Sequence, residues 1–145
     1  MNASMKSLIV IIPVILFSCQ LSPVQADRSR FKKADANGDG KLSLDEANQY
    51  ELARVFKNID INENGTVSLD EAKDVGPEYT KGVFDVYDVN TDGKVSYQEF
   101  YKVQVGKGGV KNRFNAADTD HDGFVTYPEA DARVKFLDAQ ATGSL

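Results

Sequence analysis

The sequence predicts an all-α chain assembled from helix–loop–helix repeats, and three observations carry that reading. A twelve-residue stretch rich in Asp, Asn and Ser, with glycine at its sixth position, begins at Asp35 and again at Asp60, Asp88 and Asp118. Phe31, Phe56, Phe84 and Phe114 each stand four residues ahead of those aspartates, and Leu42, Val67, Val95 and Val125 fill the eighth position of each stretch. Between the stretches apolar residues recur at helical spacing; Leu52, Val55, Phe56 and Ile59 define one such face.

In chain order, a brief helix from Ser29 to Ala34 leads into loop 1, residues 35–46. The next thirteen residues, up to Ile59, contain neither Gly nor Pro. They read either as one helix about 20 Å long shared by two loops, or as two short helices with a turn near Asn48-Gln49. Loop 2 is residues 60–71. Its exit helix stops at Gly76-Pro77. A helix carrying Tyr79, Val83, Phe84 and Tyr87 precedes loop 3, residues 88–99, whose exit helix bears Phe100, Tyr101 and Val103 and breaks at the Gly106–Gly109 cluster, a candidate hinge. Val110 and Phe114 precede loop 4, residues 118–129; Ala130, Val134 and Leu137 mark one side of the last helix, and 141–145 reads as a frayed tail. Residues 76–77 and 106–109 are the two places where the repeats could divide into lobes.

The N-terminus differs in character. Lys6 is the one charge among residues 1–26, and Leu8–Phe17 is an apolar run. It is too short to span a bilayer and fits the core of a secretory leader, with Val24-Gln25-Ala26 offering a cleavage point after Ala26. The expected domain plan is a removed leader, 1–26, and a mature domain, 27–145, secreted or periplasmic. A competing signal, Leu16-Phe17-Ser18-Cys19, resembles a bacterial lipobox; lipidation at Cys19, a route to a membrane, is the main alternative to cleavage, with an uncleaved anchor the third. With the leader removed after Ala26 the chain holds no cysteine, so disulfide and thiolate chemistry are excluded. The full sequence carries a net charge of −5, with Lys and Arg scattered, which argues against nucleic acid as a partner.

Oxygen-bearing side chains at positions 1, 3, 5, 9 and 12 of each loop make a cage for one hard cation. They are Asp35, Asn37, Asp39, Ser43 and Glu46; Asp60, Asn62, Asn64, Ser68 and Glu71; Asp88, Asn90, Asp92, Ser96 and Glu99; and Asp118, Asp120, Asp122, Thr126 and Glu129. Gly40, Gly65, Gly93 and Gly123 at position 6 allow the sharp turn, by adopting positive φ at least cost. Ser/Thr at position 9 with Glu at 12 is also a helix capping box. Capping explains those two positions but not the Asp and Asn at 1, 3 and 5.

These loops resemble the EF-hand family at its defining motif, four times over. The resemblance implies calcium as the ligand, up to four ions. It implies that Lys41, Thr66, Lys94 and Phe124 at position 7 contribute only their carbonyl oxygens, that position 9 acts through water, and that the position 12 Glu is bidentate, which favours calcium over magnesium. It also implies very short β-bridges between paired loops at position 8, with each Phe packed beneath. The steps between loop starts, 25, 28 and 30 residues, are shorter than in calmodulin-type pairs. If loops 1 and 2 share one helix they cannot pair with each other, so the loop pairing stays open.

The loops are not equal. Loop 4 has four formal carboxylates among positions 1, 3, 5, 9 and 12, loops 1 and 3 have three, and loop 2 has two, Asp60 and Glu71. Ligand charge predicts loop 2 as the weakest site. The expected function is an exported calcium buffer or calcium-stabilised protein; the alternative is a calcium-dependent module for one protein partner. Met1 and Met5 are the only methionines, which weighs against a promiscuous Met-rich sensor groove. His121, at position 4 of loop 4, reads as an exposed loop residue, and no constellation of catalytic groups points to an enzyme. Asn64-Gly65-Thr66 matches a glycosylation sequon, but it overlaps a loop ligand and is read as incidental.

Overall fold

The computed structural model describes residues 26–142, so the expected leader, Cys19 and residues 143–145 lie outside the described residues. The fold class is as expected: seven helices with three-residue strands between them. In order these are α1 (Arg28–Ala34), β1 (Lys41–Ser43), α2 (Leu44–Ile59), β2 (Thr66–Ser68), α3 (Leu69–Val75), α4 (Lys81–Tyr87), β3 (Lys94–Ser96), α5 (Tyr97–Lys107), α6 (Gly109–Ala117), β4 (Phe124–Thr126) and α7 (Tyr127–Ala141). The fixed Phe spacing has a local cause. The N–H groups of Asp35, Asp60, Asp88 and Asp118 donate to the carbonyls of Phe31, Phe56, Phe84 and Phe114, closing the last helical turn before each loop. Each loop then ends where Ser43, Ser68, Ser96 or Thr126 starts the next helix in a reciprocal box with the position 12 Glu.

The segment between loops 1 and 2 is one helix. Sixteen residues of α2 run about 24 Å, with loop 1 ending at its N-cap Ser43 and loop 2 beginning at its C-cap Asp60. The two loops therefore sit at opposite ends and cannot meet. β1 pairs antiparallel with β4, Leu42 opposite Val125. β2 pairs with β3, Val67 opposite Val95. The repeats are thus nested, the first with the last and the second with the third.

The core gathers on α2. Leu52, Phe56 and Ile59 meet Val67, Val95, Ala72, Phe84 and Phe100 from the inner pair and its helices, and Val110 from α6, the entry helix of loop 4. Phe56 packs edge-on against Tyr97 with ring centroids 5.4 Å apart, and lies 5.5 Å from Phe100. Under the outer pair Phe114 and Val125 are buried, whereas Phe31 and Leu42 are half-buried.

Two expectations need correction. Tyr79 precedes α4: its N–H bonds the Gly76 carbonyl in a turn, and Thr80 caps the helix. α5 runs through Gly106 and breaks at Gly108 alone, which sits at φ +70° and ends one helix as it starts the next. The apolar side of the last helix is not buried. α6 and β4 are the main neighbours of α7, they cover part of its girth, and no residue of α7 is buried, Leu137 being 48% exposed.

Candidate metal centre

Each loop folds around the carboxylate of its first aspartate. Asp35 takes the N–H groups of Asp39 and Gly40 on its two oxygens, at 3.1 and 2.9 Å. Asp60 does the same with Asn64 and Gly65, and Asp88 with Asp92 and Gly93. The glycine N–H faces inward because the glycine sits at φ between +82° and +86° in all four loops. The position 3 and position 5 side chains turn the chain by accepting from the N–H two residues on, as in Asn37 to Asp39 and Asp39 to Lys41. Position 12 closes the ring. Glu46 accepts from the N–H groups of Ala36 and Asn37 with one oxygen and from the N–H and hydroxyl of Ser43 with the other. Glu71, Glu99 and Glu129 repeat the arrangement against Asn62 and Ser68, Asn90 and Ser96, and Thr119 and Thr126.

These hydrogen bonds act on the glutamates' acidity. In Glu46, Glu71 and Glu99 the cap serine's N–H, the largest cause, lowers the pKa below the ordinary carboxylate value. In Glu129 the N–H of Thr126, then its hydroxyl, then the N–H of Thr119 bring it to about 2, with burial opposing.

Loop 4 departs from the rest at position 3. In loops 1 and 3 an asparagine stands there, and its Nδ2 donates to the position 5 carboxylate, Asn37 to Asp39 at 3.2 Å and Asn90 to Asp92 at 3.0 Å. Asp120 has no such donor. Asp118 is buried and accepts only from Gly123, through Oδ2 at 3.1 Å. Its Oδ1 is buried with no hydrogen-bond partner. Oxygens of Asp118, Asp120 and Glu129 lie within 4.8 Å of one another, the one such acidic trio among the described residues. Ligand oxygens about 2.4 Å from a calcium ion stand at most about 4.8 Å apart. An orphaned buried carboxylate oxygen is costly unless something positive meets it, and an oxygen-only trio at this spacing suits a hard dication.

The sequence comparisons agree with that chemistry. The EF hand family model matches residues 28–46, 52–75, 80–104 and 110–129, covering all four loops. The chain belongs to the EF-hand family. A curated relative, polcalcin Nic t 2 of Nicotiana tabacum, is 37% identical over 86 residues, which make up 59% of this chain and 79% of the relative. As an EF-hand protein the chain binds calcium through loops of this type and is not an enzyme.

Within this EF-hand frame the side chains of positions 1, 3, 5 and 12 accept from loop N–H groups in all four loops, while among the described residues only loop 4 brings three acidic ligand oxygens within 4.8 Å of one another. Lys41, Thr66, Lys94 and Phe124 at position 7 open the strands. His121 is exposed, as expected. Two features escaped the sequence reading. Position 4 is left-handed in every loop, with Gly38 at φ +73° and Glu63, Thr91 and His121 at +55° to +59°. And Thr119 adds its hydroxyl to Glu129 at 3.0 Å, for which a threonine at position 2 was the only signal.

Proposed function

We propose that the protein is an exported calcium buffer, or a protein stabilised by calcium, with one ion held in each of the four loops and loop 4 filled first. The observation that carries the ranking is Asp118 Oδ1, buried and unpartnered beside Asp120 and Glu129. In each loop the side chains of positions 1, 3, 5 and 12 and the position 7 carbonyl supply the oxygens, with position 9 acting through water. Loop 2, with only two carboxylates, fills last. Export rests on the leader-like residues 1–26, with a lipid anchor at Cys19 as the alternative. Isothermal titration separates the sites: Glu129→Gln removes the tightest binding, Glu71→Gln the weakest. A larger loss from Glu71→Gln overturns the ranking. Intact mass of the protein isolated from its source distinguishes cleavage after Ala26 from lipidation.

A dedicated-partner reading draws on exposed apolar residues that include Ile61, Val86 and Val89. If calcium opens an apolar groove near them, an apolar dye brightens on adding calcium; a silent dye leaves the buffer reading. Calcium at a hundred times its Kd raises stability by about 2.7 kcal/mol per filled site, so the melting temperature rises with calcium. No rise at saturation contradicts binding to the folded state.

A further inference from the structure

The first described residues lie against one spot on the exit helix of loop 4. Ala26 donates its N–H to Asp131 Oδ1 at 3.0 Å, and its carbonyl accepts from the Tyr127 hydroxyl at 2.8 Å. The Arg28 guanidinium sits 4.4 Å from the centroid of the Tyr127 ring. Phe31 meets the same ring edge-on at 90°, centroids 5.6 Å apart. Asp131 is held from its other side by Lys135 at 2.7 Å and is 17% exposed. Tyr127 and Asp131 stand two residues either side of Glu129, which closes loop 4. Every one of these contacts therefore lands on the first turns of α7, the part of the helix that Glu129 orients.

We propose that residues 26–31 are a latch whose closure is set by the metal state of loop 4. The proposal rests on loop 4 binding calcium. A cation drawn to Asp118, Asp120 and Glu129 fixes the first turn of α7, and with it the direction of the Tyr127 ring and the Asp131 carboxylate. Withdrawing the cation leaves three carboxylates repelling one another, the turn loosens, and the latch loses its seat. α1 leads into loop 1, whose β1 pairs with β4, so latch and strand pair close the same ring from two sides. Cleavage after Ala26 removes the two backbone hydrogen bonds but keeps Arg28 and Phe31 on Tyr127. Coupling of this kind is reciprocal: if loading loop 4 closes the latch, the latch tightens loop 4, and Phe31 becomes an affinity determinant for a site at the other end of the chain.

Hydrogen exchange read by mass spectrometry tests this on peptides covering 28–34 and 118–129, with calcium and with chelator. In the native sequence calcium slows exchange in both. In Glu129→Gln with calcium, 28–34 exchanges as fast as in the metal-free protein. Arg28→Ala, an exposed change that leaves the core intact, speeds exchange in 28–34 about two-fold or more while calcium is bound, and by the same reciprocity weakens loop 4 by less than Phe31→Ala does. Phe31→Ala raises the loop 4 dissociation constant about five-fold or more and leaves loops 2 and 3 unchanged. The latch is overturned if Glu129→Gln leaves 28–34 as protected as in the native protein with calcium, or if Phe31→Ala leaves loop 4 affinity unchanged. If 118–129 of the native protein ignores calcium, the loop 4 reading itself fails, and the latch with it.

Discussion

The Lys41 ammonium lies 3.7 Å from the centroid of the Phe124 ring, joining position 7 of the first loop to position 7 of the last across the β1–β4 pair. The pair has only three residues per strand, so one cation–π contact, worth about 0.5–1 kcal/mol at an exposed site, is a sizeable part of what holds it. Lys41→Ala should lower the stability of the metal-free protein by about that amount. Lys94→Ala, at the same position in loop 3 but with no aromatic partner of this kind among the described residues, should change it by less. A double-mutant cycle with Phe124→Leu, read by urea unfolding, isolates the interaction; a coupling energy of zero would show that the contact adds nothing.

Position 4 offers a backbone test. Thr91 is β-branched yet sits at φ +58°, where a residue with a Cβ pays about 1–2 kcal/mol. Thr91→Gly should stabilise the metal-free protein by up to about 1 kcal/mol, the strain relief being offset by a more flexible unfolded chain and by losing the Thr91 hydroxyl bond to the Asn90 carbonyl. Gly38→Ala should do the reverse. No atom lies within 4 Å of the added Cβ, so its cost is backbone strain alone. Urea midpoints moving in opposite directions would bear this out; a shared direction would not.

What the sequence revealed follows from distance along the chain. The ligand ring, the glycine turn, the capping box and the Phe before each loop are all decided within about sixteen residues, so each can be read from spacing. Loop pairing is decided over longer range, yet one local fact bore on it: thirteen residues without a breaker between Glu46 and Asp60 left open either two short helices or a single rod that holds loops 1 and 2 apart, and α2 is the rod. Which distant loop each then joins depends on packing around α2. Tyr127 as the seat for Ala26, Arg28 and Phe31 left no trace, because an aromatic at that position says nothing of what will cover it. Ala130, Val134 and Leu137 fell to the same limit: periodicity identifies a face without showing that a neighbour exists.

Acid should weaken the metal-free fold through the position 12 glutamates. Glu129 is lowered from an ordinary 4.5 to about 2, and Glu46, Glu71 and Glu99 move in the same direction. A carboxylate depressed by folding contributes stability that is complete above its unfolded pKa and lost as pH falls toward the folded one. For Glu129 that window runs from 4.5 down to about 2. Burial acts in the opposite sense, but the net shift is downward, so the hydrogen bonds prevail. Metal-stripped protein should show falling urea midpoints through this range. Thr126→Ala removes the hydroxyl but keeps the N–H that is the largest cause, so a carbon NMR titration should find Glu129 raised only part of the way. Full recovery of the ordinary value would mean that the backbone hydrogen bond is not the main cause.

Two phenylalanines should respond to truncation by very different amounts. Phe56 is buried among Tyr97 and Phe100 and sits on the helix that both loop pairs share. Phe56→Ala loses transfer energy and leaves a cavity, a combination that costs about 3–5 kcal/mol. Phe136, on α7, is 43% exposed with Arg133 set against its ring at 5.3 Å, so Phe136→Ala should cost about 0.5–1 kcal/mol, the scale of that exposed contact. Because the buried Phe56 ring anchors the last helical turn before Asp60 in the core, its truncation should also lower calcium affinity at loop 2 by leaving the loop's first ligand less fixed. Phe136→Ala should leave all binding untouched. Thermal unfolding and calcium titration of the two variants side by side test both statements. A Phe136→Ala variant as damaged as Phe56→Ala would show that α7 is held by packing that its exposure does not reveal.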